Sequence, residues 1–216
     1  MTKPQQAEAK RLPPRLYLVT PPVGPAEAFA DALRVGLPAA DIAAVLLRLQ
    51  PAGERELINR TKLLASAVQP SGTALVLDGL PEIAVRSGAD GAHLTGIDAF
   101  LAVVDSLRPA RIAGCGGLHS RHDAMVAAER GADYVMFGDP DRHGERLAFE
   151  TIEERVGWWA EVFEAPCVAY AGSLDEVAPL VKAGADFIAL GDWMWRDPAA
   201  TVAAAGRDLS LPESVT

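Results

Sequence analysis

Short apolar runs alternate with longer amphipathic segments over most of this chain. The runs are rich in Val, Leu, Ile and Ala, and in the segments between them apolar residues recur at helical spacing. Continuous apolar runs separated by helices are typical of parallel strands that are buried on both faces. The runs predict eight strands: Leu16–Thr20, Ala43–Leu49, Thr73–Asp78, Gly91–Thr95, Arg111–Cys115, Tyr134–Gly138, Cys167–Gly172 and Phe187–Gly191.

Helical periodicity follows each of these strands. The predicted helices are Pro25–Val35, Glu54–Val68, Pro81–Arg86, Asp98–Leu107, Arg121–Arg130, Phe149–Phe163, Leu174–Lys182 and Pro198–Asp208. Eight pairs of strand and helix in a chain of 216 residues fit a small (β/α)8 barrel, or TIM barrel, better than an open doubly wound sheet. The predicted fold class is therefore α/β, with a single barrel over residues 15–209 and flexible tails at 1–14 and 210–216.

The sequence Gly-Ala-Asp occurs three times, at 88–90, 131–133 and 184–186. Each copy follows a predicted helix and opens predicted strand four, six or eight. Glycine after a helix suits a left-handed cap, and this places the aspartates at the amino-terminal end of the barrel. Because barrel enzymes carry out their chemistry at the opposite end, we expect a structural role, and not a catalytic one, for Asp90, Asp133 and Asp186.

Composition and charge exclude several classes of function. The formal net charge is −9, so no overall positive field attracts nucleic acid or anionic membranes. No apolar stretch is long enough for a membrane span, and Cys115 and Cys167 lie in apolar runs, as buried strand thiols would. The polar, proline-bearing start lacks the apolar centre of a signal peptide, which predicts a cytoplasmic protein. A small anionic substrate remains compatible with the negative net charge, because its binding needs only a few hydrogen-bond donors within the site.

Glycine-rich turns after strands seven and eight are the first candidate for ligand binding. In barrels the loops after these strands commonly bind phosphate through backbone N–H groups. The residues at these positions are Ala171, Gly172 and Ser173, and Gly191 with Asp192. Glycine in a tight turn between strand and helix also accounts for both segments without a ligand. The carboxylate of Asp192 would have to point away from a bound phosphate.

Charged residues at the ends of the early strands form a second candidate. Asp78 and Asp98 follow neighbouring strands, so their oxygens could hold one Mg²⁺ that also binds a diphosphate. A turn aspartate at 78 and a helix cap at 98 are the simpler alternatives. Arg48 ends an apolar strand, where its charge should face the rim and clamp a phosphate, and Thr20 ends the first strand at the same rim.

Histidines near the strand ends could handle protons. His119 follows strand five and could donate to a substrate oxygen or act as an acid or base near neutral pH. A loop histidine without a chemical role is the alternative. Ser120 is placed to cap the next helix. His93 lies inside strand four, so the direction of its side chain decides its role.

The chain from Arg15 to Pro198 resembles the thiamine phosphate synthase family, which includes the thiazole tautomerase TenI. RLYLVTPP resembles the opening strand of that family, GADGAHLTGID resembles GADGVHLGQxD, and GADYVMFGD resembles GADYVGVGP. The resemblance implies a TIM barrel that joins hydroxymethylpyrimidine diphosphate to a thiazole phosphate, often as a homodimer. It further implies Mg²⁺ held by Asp78 and Asp98, Arg48 as the arginine of the second strand, and Gly172 in the phosphate turn.

Several motif residues of that family are replaced here. Leu46 and Gln50 stand where the family has a Gln and a Lys on either side of the arginine. The lysine that handles the diphosphate after strand six is missing from DPDRHGER, where Arg142 or Arg146 could substitute, and loop 139–147 is a candidate lid. The resemblance places Asp139 where the tautomerase has its proton-transferring histidine.

Three functions therefore remain open at this point. The first is a thiamine phosphate synthase with altered diphosphate-binding residues. The second is a TenI-like tautomerase or another isomerase that uses Asp139 or His119. The third is a barrel that binds a small phosphorylated ligand without catalysis.

Overall fold

The structure is a computed structural model that describes residues 12–141 and 144–209. Within these residues eight parallel strands pair in chain order and close into a barrel. The predicted TIM barrel is therefore confirmed. The strands are β1 Arg15–Val19, β2 Ile42–Leu47, β3 Ala74–Asp78, β4 Gly91–Thr95, β5 Ile112–Gly116, β6 Tyr134–Phe137, β7 Cys167–Ala171 and β8 Phe187–Leu190.

A helix follows each strand and packs on the outside of the barrel. The helices are α1 Ala26–Gly36, α2 Glu54–Val68, α3 Pro81–Ser87, α4 Ile97–Leu107, α5 Arg121–Glu129, α6 Phe149–Val162, α7 Val177–Lys182 and α8 Pro198–Leu209. Predicted boundaries differ from these by one or two residues, with one larger difference before α7. There Leu174–Glu176 forms a 3-10 turn, because Pro179 has no N–H to donate to the carbonyl of Asp175.

Two hydrophobic clusters stabilise the barrel. Side chains alternate along each strand, and one set fills the barrel interior, including Tyr17, Tyr134 and Tyr170. The other set packs against the helices and contains both cysteines, Cys115 and Cys167, which are buried, as predicted, and form no disulfide. In residues 12–141 and 144–209, no helix is long and apolar enough to span a membrane.

The three Gly-Ala-Asp copies lie at the amino-terminal end of the barrel, as predicted. Their glycines have φ values of +83°, +91° and +99°, the left-handed conformation that ends a helix. Each aspartate accepts a hydrogen bond of 2.7 to 2.8 Å from a backbone N–H near the start of the preceding strand: Asp90 from Leu75, Asp133 from Ala113 and Asp186 from Cys167. These carboxylates therefore join neighbouring strands, on the side of the barrel away from the strand ends that carry the candidate site.

Candidate active site

A cavity of about 650 Å³ opens at the carboxyl-terminal ends of the strands. Strand ends and the loop after β6 form its walls, so it lies where barrel enzymes bind their substrates. The described residues that line it include five of the predicted site residues: Arg48, Asp78, Asp139, Gly172 and Asp192. The other six are not part of this lining: Thr20, Asp98, His119, Ala171, Ser173 and Gly191.

Arg48 lies between two carboxylates in this cavity. Its Nε is 3.5 Å from Oδ2 of Asp78, and its Nη1 donates to Oδ1 of Asp192 at 3.2 Å. The pairing explains how an aspartate fits beside a predicted phosphate turn, since Asp192 directs its charge toward Arg48. The Arg48 side chain keeps 25% of its surface exposed, so it faces the cavity as well as its partners.

Asp139 follows β6 and is half-buried in the cavity wall. Its Oδ2 accepts a hydrogen bond from the N–H of Gly117 at 2.9 Å. The pKa of Asp139 is raised from 3.8 to about 7, mainly by burial, and the nearby charge of Asp78 acts in the same direction. Hydrogen bonds from backbone N–H groups and the charge of Arg48 act in the opposite direction. A carboxyl group that titrates near neutral pH can serve as a proton donor or acceptor.

A buried chain of hydrogen bonds lies below the cavity, and its first member, His93, is part of the cavity lining. His93 Nδ1 lies 3.0 Å from the hydroxyl of Tyr134, which lies 2.8 Å from the hydroxyl of Tyr17. Burial, assisted by the charge of Arg48, lowers the pKa of His93 to about 3, so the imidazole is neutral at physiological pH. Sequence reasoning left the direction of His93 open. The alternation of β4 holds the signal, because His93 and Thr95 share the face of the strand that lines the cavity.

The loop after β6 is fixed by Arg146, which sequence reasoning placed near the diphosphate. Its guanidinium donates to both oxygens of Glu176, at 2.9 and 2.7 Å, and to the carbonyls of Gly138 and Tyr170. Oε2 of Glu176 also accepts the N–H of Gly172 at 2.7 Å. An internal carboxylate therefore occupies a backbone donor of the predicted phosphate turn. Nothing in the sequence around Glu176 indicated this contact.

Three of the six predicted residues outside this lining are Thr20, Asp98 and His119. Thr20 is fully buried, and its hydroxyl accepts the backbone N–H of Arg48 at 2.9 Å, so it fixes the strand end that carries the arginine. Asp98 is exposed in the first turn of α4, and His119 is exposed in the loop before α5. Ser120 caps α5 as predicted, in a reciprocal pair with Asp123.

The turn residues next to Gly172 and Asp192 serve the geometry of the turns. Ala171 is buried at the end of β7, and its carbonyl accepts the indole N–H of Trp193 at 2.9 Å. Ser173 precedes the 3-10 turn that leads into α7. Gly191 packs against the Tyr170 hydroxyl, where any side chain would collide. Arg142, the other candidate for the missing lysine, lies outside the described residues.

The fold and the cavity together define a class of protein: a (β/α)8 barrel with a polar small-molecule site at the carboxyl-terminal ends of its strands. Residues 16–192 match the family model described as thiamine monophosphate synthase, and the chain belongs to this family. The resemblance seen in the sequence motifs is thereby confirmed.

Named relatives and a solved structure agree with this assignment. The thiamine-phosphate synthase of Rhodospirillum centenum is 42% identical over 193 residues, which cover 88% of this chain and 93% of the relative. The thiamine-phosphate synthase of Hyphomonas neptunium is 37% identical over 202 residues, covering 88% and 91%. The structure of thiamine phosphate pyrophosphorylase from Pyrococcus furiosus has the same fold, with a TM-score of 0.72 at 21% identity and coverage of 90% and 95%.

Proposed function

We propose that this protein is a thiamine-phosphate synthase, which joins hydroxymethylpyrimidine diphosphate to a thiazole phosphate and releases diphosphate. The observation that carries the proposal is the family match over residues 16–192, with a relative of that name at 42% identity. A cavity of about 650 Å³ lies within the usual range for sites that enclose small organic ligands.

The charge of the cavity supports a requirement for a cation. Its described lining has two guanidinium groups, those of Arg48 and Arg146, and the second is already paired with Glu176. The same lining has the carboxyl groups of Asp78 and Asp192, which share the single guanidinium of Arg48, and the carboxyl group of Asp139. A diphosphate carries several negative charges, and this surplus of carboxylates would repel it. A divalent cation bound with the substrate would reverse that balance.

Mg²⁺ suits the donors that are present. This ion keeps several waters and needs only one or two protein carboxylates beside the substrate phosphates. Asp78 in the cavity wall is the first candidate ligand, and Asp98 at the start of α4 is the second. Among the described residues no group of three or more potential ligands forms a closed metal site. When bound, Mg²⁺ would stabilise negative charge on the leaving diphosphate.

Arg48 supplies the protein's own positive charge at this site. Its two carboxylate partners hold the guanidinium between the ends of β2, β3 and β8. A fixed guanidinium binds phosphate oxygens with defined geometry, so we propose that Arg48 orients the diphosphate. Thr20 supports this role by holding the backbone of Arg48.

The tautomerase remains a second candidate because of Asp139. Its carboxyl group faces the cavity, and its pKa of about 7 suits proton transfer. The relatives carry the name of the synthase, so they support neither the tautomerase nor a binding protein without catalysis.

An assay of product formation tests the proposal. The purified protein is mixed with both substrates, with Mg²⁺ or with EDTA, and thiamine phosphate and inorganic diphosphate are measured. We expect both products with Mg²⁺, none with EDTA, and a strong loss of turnover in Arg48→Met. The exposed substitution Arg34→Met, on α1, is the control for loss of a positive charge. Isomerisation of a thiazole phosphate without diphosphate release would favour the tautomerase instead.

Two further expectations accompany the proposed function. We expect the protein to act in the cytoplasm, where small phosphorylated substrates are available, and to form the homodimer implied by the resemblance. Sedimentation of the purified protein tests the second expectation.

A further inference from the structure

The chain of hydrogen bonds below the cavity determines which nitrogen of His93 carries the proton. Each hydroxyl has one proton to donate, and a buried donor without an acceptor is costly. Among the described residues, the hydroxyl of Tyr17 has one hydrogen-bonding partner, the hydroxyl of Tyr134. The described contacts favour donation from Tyr17 to Tyr134, because the reverse order would leave the Tyr17 proton without an acceptor among these residues.

The direction of the remaining bond follows. The Tyr134 hydroxyl accepts from Tyr17 and has its own proton left, which it donates to Nδ1 of His93. Nδ1 is then the unprotonated nitrogen of a neutral imidazole, and Nε2 carries the hydrogen. The ring is stacked against Tyr134, with centroids 5.7 Å apart and an interplanar angle of 11°, which restricts its rotation.

Nε2 lies at the edge of the cavity, beside Asp139. A Cβ built on Gly116 would be 2.6 Å from Nε2 of His93 and 2.8 Å from Oδ2 of Asp139, so both atoms border the space over this glycine. The two side chains form no direct hydrogen bond with each other in the described structure. The cavity lining thus presents an uncharged N–H donor next to a carboxyl group.

We propose that His93 is a neutral hydrogen-bond donor to a ring nitrogen of the substrate's aminopyrimidine, with Asp139 beside it to accept from the amino group. An aminopyrimidine carries an acceptor nitrogen and a donor amino group side by side, the complement of this pair. Tyr134 and Tyr17 are then positioning residues, because they fix the tautomer that makes His93 a donor. The identity of the ligand rests on the proposed function, whereas the tautomer rests on the hydrogen bonds alone.

Nitrogen NMR tests the tautomer without any ligand. The protein is labelled with ¹⁵N-histidine, and the signals of His93 are identified by their absence in His93→Gln. At pH 7 we expect a protonated Nε2 and an unprotonated Nδ1. We expect Tyr134→Phe to give a mixture of tautomers, because Nδ1 then loses its donor. A protonated Nδ1 or a charged ring in the parent protein would overturn the proposal.

Calorimetry with substrate analogues tests the donor role. The probes are 4-amino-5-hydroxymethyl-2-methylpyrimidine and its two analogues in which one ring nitrogen is replaced by CH. We expect one analogue to bind the parent protein about 3- to 10-fold more weakly, as for loss of one hydrogen bond. His93→Phe should remove this discrimination. His122→Gln, which changes an exposed histidine on α5, should keep it.

The outcomes separate this inference from the proposed function. If thiamine phosphate forms and both analogues bind as tightly as the parent pyrimidine, the donor role of His93 is wrong and the proposed function stands. If the pyrimidine does not bind and no product forms, the proposed function and the ligand assigned to His93 both fail. Unchanged discrimination in a folded His93→Phe would also contradict the donor role.

Discussion

Replacement of Asp139 by Asn should change how the stability of the protein depends on pH. In the folded protein burial raises the pKa of this carboxyl from 3.8 to about 7. Between these two values the folded state holds a proton that the unfolded chain has released. The free energy of unfolding therefore falls as pH rises through this window, and the loss is complete above about pH 7.

The size of the effect follows from the shift. Between pH 5 and pH 7 the folded state holds its extra proton over two pH units, and each unit corresponds to about 1.4 kcal/mol. The variant has no proton to release at residue 139. Between pH 5 and pH 8 the free energy of unfolding of Asp139→Asn should therefore increase by about 2 to 3 kcal/mol relative to that of the parent protein. The lower figure allows for screening of the carboxylate by water in the cavity.

Equilibrium unfolding in urea at pH 5 and pH 8, followed by circular dichroism, measures this difference. A constant cost from the altered hydrogen bond with Gly117 cancels, because it is present at both pH values. Asp78, whose pKa is also raised by burial, is present in both proteins, and its repulsion of Asp139 is part of the effect that is measured. A variant whose stability relative to the parent is equal at the two pH values would refute the reasoning.

Other substitutions probe contacts at both ends of the barrel. Arg146→Met leaves Glu176 without its half-buried partner and should cost about 2 to 4 kcal/mol, measured by urea unfolding; an unchanged midpoint would contradict the ion pair. Gly116→Ala brings a Cβ against His93 and should cost about 1 to 3 kcal/mol. Gly157→Ala on α6, where a Cβ would lie at an ordinary contact distance of 3.8 Å from the carbonyl of Ala183, should stabilise by about 0.5 to 1 kcal/mol. Asp186→Asn, at the opposite end, should lower the melting temperature without changing kcat; a loss of kcat at full stability would contradict its structural role.

Periodicity was sufficient to predict the barrel. Parallel strands buried on both faces give continuous apolar runs, and every strand of the barrel falls on such a run. The structural role of the repeated Gly-Ala-Asp could also be predicted, because a glycine that ends a helix and a short side chain that precedes a strand depend only on neighbouring residues in the chain. The start of α7 was predicted too early, because the loss of one helical hydrogen bond at Pro179 does not change the periodic pattern of apolar residues.

The candidate site was predicted in position and only partly in composition. The ends of the strands are fixed by the fold, so Arg48, Asp78 and Asp139 could be placed at the cavity. Which partners they find depends on residues far apart in the chain, as when Arg48 after β2 pairs with Asp192 after β8, the two strands that flank β1 in the closed barrel. The role proposed for His93 depends on the direction of its side chain, and the alternation along β4 indicates that direction once the cavity face of the strand is known.

The contact between Glu176 and Gly172 would make the proposed phosphate binding an exchange of one anion for another. Any ligand that takes the Gly172 N–H must replace a carboxylate that is already hydrogen-bonded there. A ligand with a single carboxylate gains little from that replacement, since it offers the same chemistry at the cost of lost freedom. A phosphate monoester carries close to two charges at neutral pH and three acceptor oxygens, so it can outcompete the internal group. If a substrate phosphate binds at this turn, the internal carboxylate would therefore select for charge before the rest of the substrate is recognised.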